Sequence, residues 1–166
     1  MSLNFFKDDC QHELIALNSF GLCDNQNGTR AFPDTNLANK DSLWIAEVKN
    51  DNNLDIVFTA IDKCVLHDHE HEGRGRCDGM LTTTNHLYLV ELKNQEPPWQ
   101  RHAIEQLDST IQFLFDNHDL SQYKKRKAFA SNKKRDKFVV IDNEFNKAFF
   151  KRTTFRIDIQ AEIVVM

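Results

Sequence analysis

Asp78, Glu91 and Lys93 are the residues whose types and spacing best suit a reaction. Twelve residues separate Asp78 from Glu91, and Lys93 follows Glu91 by two. On a strand, side chains two apart point to the same face, so Glu91 and Lys93 share one. If residues 77–81 and 87–93 pair as a hairpin around a turn near 83–85, Asp78 comes beside Glu91. Two carboxylates and an ammonium group would then converge at the end of one strand. Like charges at that spacing repel, and a buried lysine is costly without partners. A divalent cation removes the repulsion, and hard oxygen ligands suit Mg2+ or Mn2+. Such an ion acidifies a bound water and screens a phosphodiester, while Lys93 could position the water or stabilise transition-state charge. These are the parts that phosphodiester hydrolysis needs.

Other elements must hold this trio in place. Phe6, Cys10, Leu14 and Leu17 recur at helical spacing and Gly21 follows, which predicts a helix over 3–17. Residues 23–42 are rich in Asn, Asp, Thr and Pro and read as loop. The β-like runs 42–49 and 54–65 flank Asn50-Asp51-Asn52-Asn53, which predicts a first hairpin. A polar stretch, 67–76, precedes the hairpin that carries Asp78 and Glu91. Residues 87–92 are apolar at both parities, as expected of a central strand covered on both faces. Pro97-Pro98 ends that run. From Trp99, residues Ala103, Ile104, Leu107, Ile111, Leu114 and Phe115 keep a 3.6-residue period, which predicts a helix over 99–116. A strand at 137–142, a short helix at 145–151 and a final strand at 155–165 complete the chain. The expected fold is α/β (α+β), a mixed central sheet flanked by helices in the order α-β-β-β-β-α-β-(α)-β. At 166 residues and without internal repeats, residues 1–166 read as a single domain.

Asp78, Glu91-x-Lys93 and this strand, hairpin, helix setting resemble the PD-(D/E)xK nuclease superfamily, whose fold is restriction-endonuclease-like. The likeness runs over most of the chain, with 43–50 as an extra strand and Cys77 where the family often has proline. The resemblance implies that Asp78 and Glu91 bind Mg2+ or Mn2+, that the Leu92 carbonyl joins them, and that Lys93 is the catalytic lysine. Many members place a glutamate on the first helix, where Glu13 would match. Some place a glutamine on the helix after the motif, where Gln106 would match. The implied substrate is nucleic acid, with DNA expected, and a homodimer or targeting partner belongs to the same implication. A second copy of the letters exists: Pro33-Asp34, twelve residues, then Glu47-Val48-Lys49. Asp34 falls in the expected loop and Lys49 runs into a turn, so this copy lacks the family's setting.

Two alternatives follow from other residues. Cys64, His67, His69, His71 and Cys77 are zinc-ligand types, although no paired Cys-x2-Cys occurs, so a zinc-binding interaction module is one. A catalytically inactive nucleic-acid-binding or assembly protein on the same fold is the other. Residues 123–137 hold eight Lys/Arg against one acid, in a chain of net charge −4. Lys124, Lys125, Arg126, Lys127, Lys133, Lys134, Arg135 and Lys137 could neutralise phosphates, Phe129 could stack on a base, and Arg74 and Arg76 could meet phosphates near Asp78. A solvated connector is the competing account of that run. Only 5 Gly and 3 Pro exclude collagen-like and low-complexity classes. The longest apolar runs fall far short of a membrane span, which needs about 18 residues. With no secretory signal, the four cysteines read as reduced thiols in a cytoplasmic protein.

Overall fold

The computed structural model describes residues 3–96, 98–133, 138–139 and 141–166, with the backbone alone at 138 and 139. In chain order its strands and helices are β1 (Ser19–Cys23), β2 (Phe32–Asp34), the single turn α1 (Lys40–Leu43), β3 (Ala46–Lys49), β4 (Val57–Ala60), β5 (Gly79–Thr82), β6 (His86–Lys93), α2 (Gln100–Asn117), β7 (Lys125–Asn132), β8 (Phe138–Val139), α3 (Asn143–Thr153), β9 (Arg156–Gln160) and β10 (Glu162–Val164). They form a mixed α/β fold with two mixed sheets. One has the order β10-β3-β1-β2 and the other β4-β5-β6-β7-β9-β8.

Residues 3–17 are not a helix. A 3-10 turn, Asp8–Cys10, is followed by extended chain that bridges β4 at Gln11–Thr59 and Ile15–Ile56. The reason lies in burial. Leu14 and Leu17 are 54% and 51% exposed, so the apolar stripe of a helix would have had no core to face, whereas Phe5, Cys10 and Ile15 are buried. Cys10 forms a disulfide with Cys64, with Cα atoms 5.7 Å apart. The expectation of four reduced thiols is corrected at these two; Cys23 and Cys77 are free.

The expected first hairpin does not form either. The chain does turn at 50–53, where the Asn50 side chain binds Leu54 N and O at 2.9 and 2.8 Å. The flanking strands join different sheets, β3 pairing with β1 and β10, and β4 with β5. Gly21, expected as a helix stop, lies within β1 because a Cβ there would sit 2.1 Å from the Trp44 ring.

The second hairpin is as expected. β5 and β6 are antiparallel, with Gly79 opposite Val90 and Thr82 opposite Leu87. The Thr83 hydroxyl holds the turn by accepting from Asn85 N and His86 N at 3.1 and 3.0 Å. Every residue of β6 is buried, as suits a strand covered on both faces. α2 then packs its stripe of Ala103, Leu107, Thr110, Ile111 and Leu114 and returns the chain for a parallel partner of β6.

That partner is β7, built from the first half of the basic run, so this segment is a core strand and not a connector. Its cationic residues stand at the start, and Ala128–Asn132 are buried. The strand expected at 137–142 is described only as the short β8, which pairs antiparallel with β9 at the sheet edge. α3 covers the expected short helix, starting from an Asp142 cap to Phe145 N. The expected last strand divides at Ala161: β9 lies parallel to β7, and β10 crosses to lie parallel to β3.

Candidate functional site

The regular ladder ends at Gly79 and Val90, and one residue beyond β5 Asp78 N donates to the same Val90 O at 3.1 Å. That bond holds Asp78 beside Glu91, the residue after Val90. Their carboxyl groups are close enough for each to raise or hold the other's proton. Asp78 Oδ2 also accepts from Leu92 N at 2.7 Å, which fixes its rotamer. Lys93 Nζ lies 3.1 Å from Glu91 Oε2, and both side chains are buried. α2 covers this face. Arg126, opposite Leu87 in the ladder and so on the Glu91 face, has its guanidinium 5.7 Å from the α2 ring Phe115.

The electrostatics are unbalanced. Burial and the neighbouring Glu91 push the Asp78 carboxyl well above the usual carboxylate range. Burial also raises Glu91, against the pull of Lys93 and the Asp78 hydrogen bond. Closely placed carboxyls of this kind resist losing both protons at once. Glu91 Oε1 is buried without any hydrogen-bond partner. Leaving such an atom orphaned costs about 1–3 kcal/mol or more when charged. The orphaned Glu91 oxygen, the Asp78 carboxyl and the Leu92 carbonyl would make an all-oxygen donor set, which suits Mg2+ or Mn2+ and not a thiolate-seeking ion.

A cavity of about 180 Å³ opens on the trio. Asp24, Gln26, Asp62, Arg76 and Gln106 also line it. Gln26 Nε2 reaches the Leu92 carbonyl at 3.4 Å. Arg76 Nε lies 3.5 Å from Asp62 Oδ1, and its Nη1 donates to His67 O at 2.6 Å. Burial raises the Asp62 carboxyl, opposed by Lys63 and Arg76. Sequence reasoning missed Asp24, Gln26 and Asp62. Asp62 had a signal: pairing continues past β4, with Ile61 N bonded to Asp78 O and Asp62 N to Cys77 O, so an alignment of 54–65 against 77–81 places it there. Asp24 and Gln26 follow β1, and no local pattern ties that loop to β6.

The other expected residues fall elsewhere, Gln106 and Arg76 excepted. Glu13 is exposed beside Leu14, Pro33 and Asp34, in a groove apart from the trio. Arg74 lies over the Phe113 ring at 3.6 Å, docking the 67–76 loop on α2. Lys125 pairs with His86, at the opposite end of β6 from Lys93, so Lys124, Lys125, Arg126 and Lys127 are remote from the trio. Phe129 is buried and is not free to stack on a base. Lys133, at the Lys93 end, donates to Ser42 O. Lys134, Arg135 and Lys137 lie outside the described residues.

The zinc alternative is corrected. Cys64 is bound to Cys10, the Cys77 thiol is fully buried and pushed up by burial, and His67, His69 and His71 are exposed on the loop between them. Among the described residues no group of three or more His, Cys, Asp and Glu is arranged to hold a metal ion. The second copy of the motif is split by β1, since Asp34 and Glu47 pair with Gly21 from either side. Its acids are satisfied: Asp34 accepts from Trp44 Nε1 at 2.9 Å, and Glu47 from Ser19 Oγ at 2.7 Å and Lys49 Nζ at 3.1 Å. No described helix is long and apolar enough to cross a membrane. The chain matches no family model, no curated protein and no solved structure.

Proposed function

We propose that the chain is a metal-dependent nuclease on a restriction-endonuclease-like core, hydrolysing phosphodiester bonds of nucleic acid, DNA first. One observation carries this: Asp78 and Glu91 meet across β5 and β6 with Lys93 beside them, and Glu91 Oε1 is buried with no partner. The antiparallel β4-β5-β6 unit, the α2 crossover and the parallel β7 support the core assignment. The first helix of that family has no counterpart here, because its place is taken by extended chain on β4.

In this proposal Asp78, Glu91 and the Leu92 carbonyl would hold the ion. Bound there, a divalent cation would supply Lewis acidity and lower the pKa of a water. Lys93 lines the same cavity, where its Nζ can hydrogen-bond an attacking water or meet developing negative charge. Arg76 lines the cavity close by, suited to a phosphate oxygen. The substrate is hydrolysed by water, without a covalent intermediate.

A non-catalytic binder on the same core is the second reading. It is favoured by the finding that, among the described residues, no third His, Cys, Asp or Glu is grouped with the two acids to hold a metal. Cleavage of supercoiled plasmid and of a labelled single strand in Mn2+ separates the two. The nuclease reading expects cleavage by the parent and none by Asp78→Ala or Lys93→Ala. An inert parent that still binds DNA supports the binder.

A further inference from the structure

The start of β7 forms a second polar feature, unrelated to the trio. Lys124, Lys125, Arg126 and Lys127 line a cavity of about 600 Å³ together with Arg156 of β9 and the ring of Phe150. Arg156 stands opposite Lys127 in the parallel ladder, which brings a fifth cation from 29 residues further along the chain. The charge is poorly compensated. Arg126 is held by Tyr123 O, Leu120 O and Thr154 Oγ1, at 2.9, 2.9 and 2.7 Å, all uncharged acceptors. Lys125 Nζ meets a Met166 backbone oxygen at 2.6 Å. Arg156 lies over Phe150 at 4.6 Å, and Lys124 is exposed. Among the described residues, Lys127 is the one of the five paired with an acidic side chain, Asp158 at 3.5 Å. Asp119 is a second acidic side chain near Lys124 and Arg126. The five cations outnumber these side-chain acids, which makes a concentrated positive field on a chain whose net charge is −4.

We propose that this cavity binds the sugar-phosphate backbone of a nucleic-acid strand, at a site separate from the Asp78–Glu91 pocket. The two are seven residues apart along β6, roughly 23 Å. A concave cavity with cations on its walls fits a threaded phosphate chain better than a flat anionic bilayer, which meets only protruding cations. The half-exposed Phe150 ring, flanked by Arg156, adds a face against which a base can stack. The proposal rests on the cavity's own charge and does not depend on cleavage.

The test is fluorescence anisotropy with a labelled single-stranded oligonucleotide in EDTA over a salt series. The parent should bind. Lys124→Glu with Arg156→Glu, both exposed positions, should weaken binding about tenfold or more at low salt and reduce the slope of log affinity against log salt by about 1.4. Lys124→Ala with Arg156→Ala should change both in the same direction with less perturbation of the fold. Lys133→Glu, at the other end of β7, should bind like the parent. Parent-like affinity and slope in the two double variants would overturn the proposal, as would an equal loss of binding in Lys133→Glu. So would equal displacement of the oligonucleotide by inorganic phosphate, or binding to anionic phosphatidylserine vesicles without binding to the oligonucleotide. Cleavage lost with binding intact, or the reverse, tells the two proposals apart.

Discussion

Replacing Asp78 by asparagine keeps the side chain's shape and its acceptor for Leu92 N, and removes its charge. Asp78 and Glu91 are neighbours lining one cavity, and side chains at neighbouring positions across a strand pair stand about 5 Å apart. Two full charges at that spacing repel by about 3–4 kcal/mol at an effective dielectric of 20. Without a cation the parent avoids this by holding a proton on the pair, which becomes costlier as pH rises. The sign follows from linkage. Both carboxyls titrate above their unfolded values, so their contribution is present at low pH and lost as pH rises through the folded values. In EDTA at pH 8, Asp78→Asn should therefore be more stable than the parent by about 1–3 kcal/mol, or about 3–10 °C in Tm for a chain of this length. Mn2+ at a hundredfold excess over its Kd should stabilise the parent by about 2.7 kcal/mol. That corresponds to a rise of about 5–10 °C, larger at pH 8 than at pH 5, with little change in the variant. Thermal melts of both proteins with EDTA and with Mn2+ decide it. The reasoning is refuted if Mn2+ shifts the variant as much as the parent, or if the variant in EDTA at pH 8 melts below the parent.

Lys93→Met, which keeps the aliphatic stem, should lower the single-turnover cleavage rate by about 10²–10⁴; a parent-like rate would remove Lys93 from the chemistry. Thiol titration in denaturant should find two free cysteines before reduction and four after, because Cys10 and Cys64 are joined. Reduction should cost about 2–4 kcal/mol in chemical denaturation. Phe129→Ala should destabilise by about 3–5 kcal/mol, and a cost near zero would contradict its place in the core. Gly21→Ala forces a Cβ onto the Trp44 ring and should cost about 1–3 kcal/mol, with a change in tryptophan fluorescence.

The candidate site was the most legible part of the sequence, because a hairpin is local. Thr83 to Asn85 make the turn, the apolar run of 87–92 fixes a central strand, and the pairing of Asp78 with Glu91 follows from counting back. The helix α2 was equally plain from its period. What failed depended on distant partners. Phe6, Cys10, Leu14 and Leu17 have helical spacing, yet the segment is held straight by β4 and by Cys64, partners found 41 to 54 residues away. The turn at 50–53 was visible, but β3 is claimed by β1 and β10, and Glu47 pairs with Glu162 from the far end of the chain. Charge hid a strand at 124–127, where cationic residues mark its start and the later residues, Ala128 to Asn132, are small or apolar enough to be buried beside β6. Asp24 and Gln26 reach the cavity through the same non-local pairing that places β1, so neither could be found from its neighbours.

The central claim is a cation pocket between Asp78 and Glu91. Crystals soaked in Mn2+ and measured at the manganese absorption edge test it most directly. The account predicts one strong anomalous peak about 2.0–2.5 Å from an oxygen of Asp78, from Glu91 Oε1 and from the Leu92 carbonyl. An empty pocket, with Glu91 Oε1 still unpartnered and manganese absent or bound elsewhere, would contradict it.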